Sequence, residues 1–177
     1  MDVLSNNLVT DNPANRCYYC KQGVFGTILE AAKNDGMTVI LDGTNASDDA
    51  DDRPGMKALQ EMKVLSPLRM CGYVKSEIRK QSKEAGLFVY NKPSYACLAT
   101  RIPTGTEIDE EKIKQVETAE TFLLDLGFSD FRVRWMDNKA KIQMPESQLQ
   151  ALMEKREVVL EELSKIFDEV LLDLGTR

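Results

Sequence analysis

Between residues 17 and 34 the apolar positions Val24, Ile28, Leu29 and Ala32 recur at helical spacing, and Gly36 stops the pattern. The spacing predicts a helix over 17–34, with Asn12-Pro13 ahead of it putting proline where a first turn tolerates one. The run MTVILDGTN (37–45) is short, apolar and β-branched, and it ends in polar groups. It predicts a buried strand that delivers ligand-binding side chains at its C-terminal end. An acidic, proline-containing loop is expected over 46–59. A helix follows over 76–86, with Ser76 as N-cap and Gly86 past the end. The proline-punctuated stretch 88–106 reads as the link between two halves.

From Asp109 the pattern turns α+β: a helix to about Asp125, two short strands, a helix from about Pro145 to Lys165, and a last strand in EVLLDL. If Asp137-Asn138 is a two-residue turn, Phe131, Val133 and Trp135 pair with Met144, Ile142 and Ala140 on one face. Arg132 and Arg134 then pair with Gln143 and Lys141 on the other. Those two arginines and Lys141 make a cationic face suited to phosphate, or a plain solvated surface. On a helical wheel Glu120 falls on the apolar stripe with Ile113, Val116 and Leu123. A carboxylate is costly there unless it meets a cation, and an arginine is the simplest partner. Arg101 is a further candidate phosphate ligand.

Composition narrows the class. Of 177 residues, 42% are hydrophobic and 29% charged, which suits one substantial domain or two small ones. No apolar run reaches the roughly 18 residues of a membrane span, and the first residues lack a signal peptide's pattern, so a cytoplasmic location without membrane contact is the default. The net charge of −6 opposes general attraction to nucleic acid and favours small-molecule chemistry. Histidine is absent, which leaves thiolates and carboxylates as ligands.

Four cysteines carry the remaining chemistry: Cys17 and Cys20 in a Cys-x-x-Cys at the predicted helix start, Cys71, and Cys97. A helix dipole favours thiolate at such a start. The pair alone allows a thioredoxin-like redox role, a zinc site completed by Cys71 and Cys97, or an iron–sulfur site on Cys17, Cys20 and Cys97 with one iron open. Cys71 and Cys97 also read as simple buried thiols. The Asp-Asp-Ala-Asp-Asp run (48–52) could suggest magnesium, but a solvated acidic turn is the simpler reading.

The segments NPANRCYYCK, LDGTNASDDADDRPGMKAL, VLSPL, KSEIRKQSKEAGL, NKPSYACLATRIPTGT and LGFSDFRVR, in that order, together resemble the LarE family of ATP-dependent sulfur transferases, in the PP-loop (adenine nucleotide alpha hydrolase) superfamily. The resemblance implies an α/β fold: part of a parallel-sheet PP-loop domain over 1–100, then a smaller α+β substrate domain over 101–177. It implies ATP-dependent sulfur insertion into pyridinium-3,5-biscarboxylic acid mononucleotide, a small-molecule nucleotide substrate, for the nickel-pincer cofactor of lactate racemase. Family members with all three cysteine positions look built to hold a [4Fe–4S] cluster, here on Cys17, Cys20 and Cys97. By the same resemblance Cys97 and Glu120 are active-site residues, Arg101, Arg132 and Arg134 bind the substrate phosphate, and ATP and magnesium serve adenylation.

Two departures stand out. The family's phosphate-cradling Ser-Gly-Gly-x-Asp-Ser is absent, since the chain contains no Gly-Gly dipeptide, and Asp52 and Thr104 stand where tyrosine is usual. The expectation is a piece that lacks its first strands and cannot adenylate alone. Its exposed apolar edges should favour association into homo-oligomers. The competing expectations are a tRNA-thiolating relative and a non-catalytic zinc or interaction module on the same scaffold.

Overall fold

The computed structural model describes residues 2–48 and 54–175. They fold as two compact units, Met1–Lys92 and Pro93–Arg177.

In the first unit, short helix α1 (Asn7–Thr10) leads to the long helix α2 (Arg16–Asn34), followed by α3 (Pro54–Glu61), α4 (Pro67–Met70) and α5 (Lys75–Glu84). Helix α2 matches the predicted span within a residue, and Gly36 behind it sits at φ +74°, a left-handed conformation that glycine adopts without a Cβ clash. Gly55 lies where α3 faces Lys21 and Cys17 of α2. A Cβ there would meet the Lys21 Cδ at 3.0 Å. The Tyr18 hydroxyl donates to Glu61 Oε2 at 2.6 Å across the same pair. The apolar core here is small: Met56, Leu59 and Val64, backed by Phe25, Ile40 and Met62.

Three expectations for this unit are corrected. The run 37–45 is not a buried strand. It makes one isolated parallel bridge, Leu41 to Leu65, through Asp42 N–H to Leu65 O and Leu65 N–H to Ile40 O. A parallel strand needs neighbours to pair with and layers to cover it, and here Met37, Val39 and Leu41 are all exposed. Residues 54–59, read as loop, open α3: the proline suits a helix's first turn, and Met56, Ala58 and Leu59 bury its face. Ser76 lies inside α5. The helix begins one residue earlier, with Glu77 accepting from the Val74 N–H at 3.0 Å and the Ser47 hydroxyl oxygen accepting from the Lys75 N–H at 2.9 Å. Residues 49–53, which carry most of the aspartate run and Asp52, lie outside the described residues.

The second unit is α+β. Helix α6 (Glu110–Asp125) starts at Asp109, whose carboxylate accepts from the Lys112 N–H at 2.7 Å. Strands β1 (Arg132–Met136) and β2 (Lys139–Gln143) form the hairpin in the predicted register, Val133 opposite Ile142 and Arg134 opposite Lys141. Its turn residues Asp137 and Asn138 have φ of +51° and +58°, as a tight hairpin turn requires. Strand β3 (Glu169–Leu172) adds parallel to β2, giving the order β1-β2-β3. One sheet face packs on Ala119 and Leu123 of α6 and on Leu152, Val159, Leu163 and Phe167, enclosing Phe131, Val133, Ala140, Ile142 and Met144.

The helix expected over 145–165 is divided into a 3-10 turn (Glu146–Gln148), α7 (Leu149–Glu154) and α8 (Arg156–Leu163). The break at Lys155 lets Leu152 and Leu163 both reach the core. The Lys155 ammonium reaches back to the Leu126 carbonyl at the end of α6, 3.0 Å away. Among the described residues no helix is long and apolar enough to cross a membrane.

Candidate active site

Cys97 opens the site in the second unit. It is exposed and caps a 3-10 turn, Leu98–Arg101, whose last residue is buried. Thr100 closes this turn onto the cysteine: its N–H and its hydroxyl donate to the Cys97 carbonyl at 2.9 and 2.7 Å. The Thr100 hydroxyl oxygen in turn accepts from Arg101 Nη1 at 2.8 Å.

Arg101, 1% exposed, meets Glu120, 2% exposed, in a two-pronged ion pair. Nε donates to Oε1 at 2.6 Å and Nη2 to Oε2 at 3.1 Å. Glu120 also accepts the Val133 N–H at 2.9 Å, which satisfies a donor on the outer edge of β1. The wheel argument therefore located the carboxylate correctly and its need for an arginine too. The partner comes from the Cys97 turn, not from the hairpin.

Arg132 and Arg134 share the hairpin face opposite Val133. That face is no open cationic surface, because Arg132 is 5% exposed. Its guanidinium donates to the Phe131 and Ser94 carbonyls, both at 2.6 Å, and lies 5.7 Å from the Tyr95 ring centre. Arg134 donates to Gln143 Oε1 at 2.5 Å and to the Thr100 carbonyl at 2.9 Å. Lys141 is matched by Asp173 at 2.8 Å. That ammonium, with the Gln143 amide, holds the Asp173 carboxyl down at about 2. Burial, then the Glu120 charge, pushes the Tyr95 hydroxyl above its ordinary value.

An open cleft of about 240 Å³ lies beside this turn, lined by Tyr95, Leu98, Glu117, Glu120, Thr121 and Leu124. Cys97 falls between two of its lining residues along the chain. Neither Tyr95 nor Thr100 stood out in the sequence. The signal for Thr100 was local: a hydroxyl three residues past a cysteine can close a turn onto that residue's carbonyl.

Cys17 and Cys20 belong to the first unit, one turn apart at the start of α2, Cys17 exposed and Cys20 half-buried. The helix start expected for them is there. None of the four cysteines forms a disulfide, and Cys71 and Cys97 are both exposed, which corrects the reading of them as buried thiols. Cys71 caps the C-terminal end of the single-turn helix α4 and is exposed. Among the described residues no three cysteines, aspartates or glutamates converge as metal ligands.

No protein-family model matches the chain. An uncharacterized protein of Synechocystis is 38% identical to it over 164 residues, 93% of this chain and 60% of that protein. Pyridinium-3,5-bisthiocarboxylic acid mononucleotide synthase of Lactiplantibacillus plantarum is 33% identical over 176 residues, 99% of this chain and 64% of the synthase. The chain belongs to the LarE family. An uncharacterized protein of Methanocaldococcus jannaschii is a further relative, 29% identical over 174 residues and 68% of its length. The chain thus spans under two thirds of the first two relatives, and its LarE kinship extends over both units.

Proposed function

We propose that the chain carries the sulfur-delivering part of a LarE-type enzyme, which inserts sulfur into pyridinium-3,5-biscarboxylic acid mononucleotide in nickel-pincer cofactor synthesis. The observation that carries this reading is the exposed Cys97, which lies along the chain between Tyr95 and Leu98, two residues that line the cleft. The mononucleotide sits in that cleft. Its cationic pyridinium ring suits the Tyr95 ring and the Glu117 carboxylate. Its phosphate is taken by Arg134, whose Nη2 is left over after Nε and Nη1 are engaged. Arg101 grips the Glu120 carboxylate at the cleft wall. Arg132 adds charge beneath Tyr95.

Cys17, Cys20 and Cys97 are the proposed ligands of a [4Fe–4S] cluster. The donor set fits, because iron–sulfur clusters take thiolates, and all three are outside disulfides. When bound, such a cluster supplies an iron with an open position for sulfide. Adenylation by ATP and magnesium is assigned to no residue of this chain, which lacks Ser-Gly-Gly-x-Asp-Ser. A reducing, cytoplasmic setting suits four unbridged thiols.

Calorimetric titration with the mononucleotide tests the reading. Binding is expected, competed by inorganic phosphate and not by AMP, and weakened in Arg134→Gln. No binding, or equal competition by AMP, would sink it. Tight, salt-sensitive tRNA binding would favour a tRNA-thiolating role instead.

A further inference from the structure

Residues 94–97 are exposed in sequence succession, yet the chain around Cys97 is tied at both sides by buried or half-buried cations. Arg132 donates to the carbonyl of Ser94, three residues before Cys97. Arg134 donates to the carbonyl of Thr100, three residues after it. Between these ties, the Thr100 hydroxyl joins the Cys97 carbonyl to Arg101, which Glu120 anchors to α6.

Burying guanidinium groups is costly, and they persist where strong hydrogen bonds are returned. Here two of the acceptors, the Ser94 and Thr100 carbonyls, flank one exposed thiol. A group whose only task was to grip phosphate would keep its donors aimed outward. Arg132 instead spends two nitrogens on main-chain oxygens, at 2.6 Å each.

We infer that Arg132, Arg134 and Thr100 are positioning residues that clamp the backbone on either side of Cys97 and so hold the point from which its thiol projects. The clamp works whether or not substrate is present, because all its acceptors belong to the chain itself. A thiol on an untethered loop would sample many positions. One held at residues −3 and +3 is kept near a single geometry, which delivery of sulfur or a ligand bond to iron requires. Thr100 is the link that no charge argument would find. Its hydroxyl accepts from Arg101 and donates to the Cys97 carbonyl, so removing that oxygen leaves only the Thr100 N–H on the carbonyl and loosens the tie to the Arg101–Glu120 anchor without altering any charge.

The importance of the clamp rests on the proposed reading of Cys97 as the working thiol, but its existence does not. The test is amide hydrogen exchange on the whole chain without iron, substrate or ATP. Thr100→Val and Arg134→Gln are expected to speed exchange of the amides in 97–101 by roughly fivefold and roughly tenfold, the size of one lost neutral or charged hydrogen bond. Exchange in 113–123 and 139–143 should be unchanged, and Thr100→Ser should restore the parent rate. Unchanged exchange in 97–101 would overturn the clamp, as would a uniform rise across the unit. If added inorganic phosphate slows exchange in 97–101 in the parent while both variants match it without phosphate, the arginines serve substrate alone. Failure of iron to bind would leave this result standing, and failure here would leave the cluster reading standing.

Discussion

Glu120→Ala is the sharpest perturbation of the second unit. It strands the Arg101 guanidinium, 1% exposed, without its carboxylate, and leaves the Val133 N–H at the edge of β1 without its acceptor. Breaking a buried ion pair by removing one partner costs about 3–5 kcal/mol, and an orphaned backbone donor adds about 1 kcal/mol more. A unit of this size holds roughly 5–10 kcal/mol in all, so the variant should be close to unfolding. Trp135 is the chain's single tryptophan and lies in this unit, its indole N–H donating to Gln115 Oε1 at 2.9 Å. Its fluorescence during urea unfolding therefore reports on this unit. With a slope of about 2 kcal/mol per M, the midpoint should fall by roughly 2 M. The double variant Arg101→Met/Glu120→Leu, which removes both charges and keeps the volume, should recover most of that loss. A Glu120→Ala cost under about 1 kcal/mol, or a double variant worse than the single one, would refute the reasoning.

Two other outcomes follow from the structure. The Asp173 carboxyl, held at about 2 by Lys141 and then Gln143, has a folded value below its unfolded one. Its contribution to stability is therefore complete above the ordinary aspartate range and is lost as pH falls toward 2. NMR titration should place the carboxyl near that value, and Lys141→Met should move it back up. Replacing the exposed Val39 and Leu41 with lysine is expected to raise the chain's solubility limit while leaving the Trp135-monitored urea midpoint unchanged, because these side chains lie outside both cores.

The hairpin was legible because two constraints coincided. Period-two alternation fixed which residues share a face, and Asp137-Asn138 fixed the register between the strands. Glu120 was legible because a charge on an apolar stripe demands a partner. Which arginine answered it was not, since the turn that brings Arg101 to α6 lies outside any helical or strand repeat. The run 37–45 misled for a related reason: its apolar, β-branched composition states what it would do beside other strands, and among the described residues its one bridge partner is Leu65. The interruption at Lys155 was invisible locally, because it answers to the Leu126 carbonyl on a different helix. The family's motifs singled out three thiols and three arginines as candidates. They did not show that the hairpin arginines donate to the Ser94 and Thr100 carbonyls on either side of Cys97.

Anaerobic reconstitution of the chain with iron and sulfide tests the central claim most directly. The account predicts about four irons and four sulfides per chain, with Cys71→Ala retaining them and Cys17→Ala, Cys20→Ala and Cys97→Ala each losing them. Bound zinc with no iron uptake, or an unchanged iron content in Cys97→Ala, would contradict it.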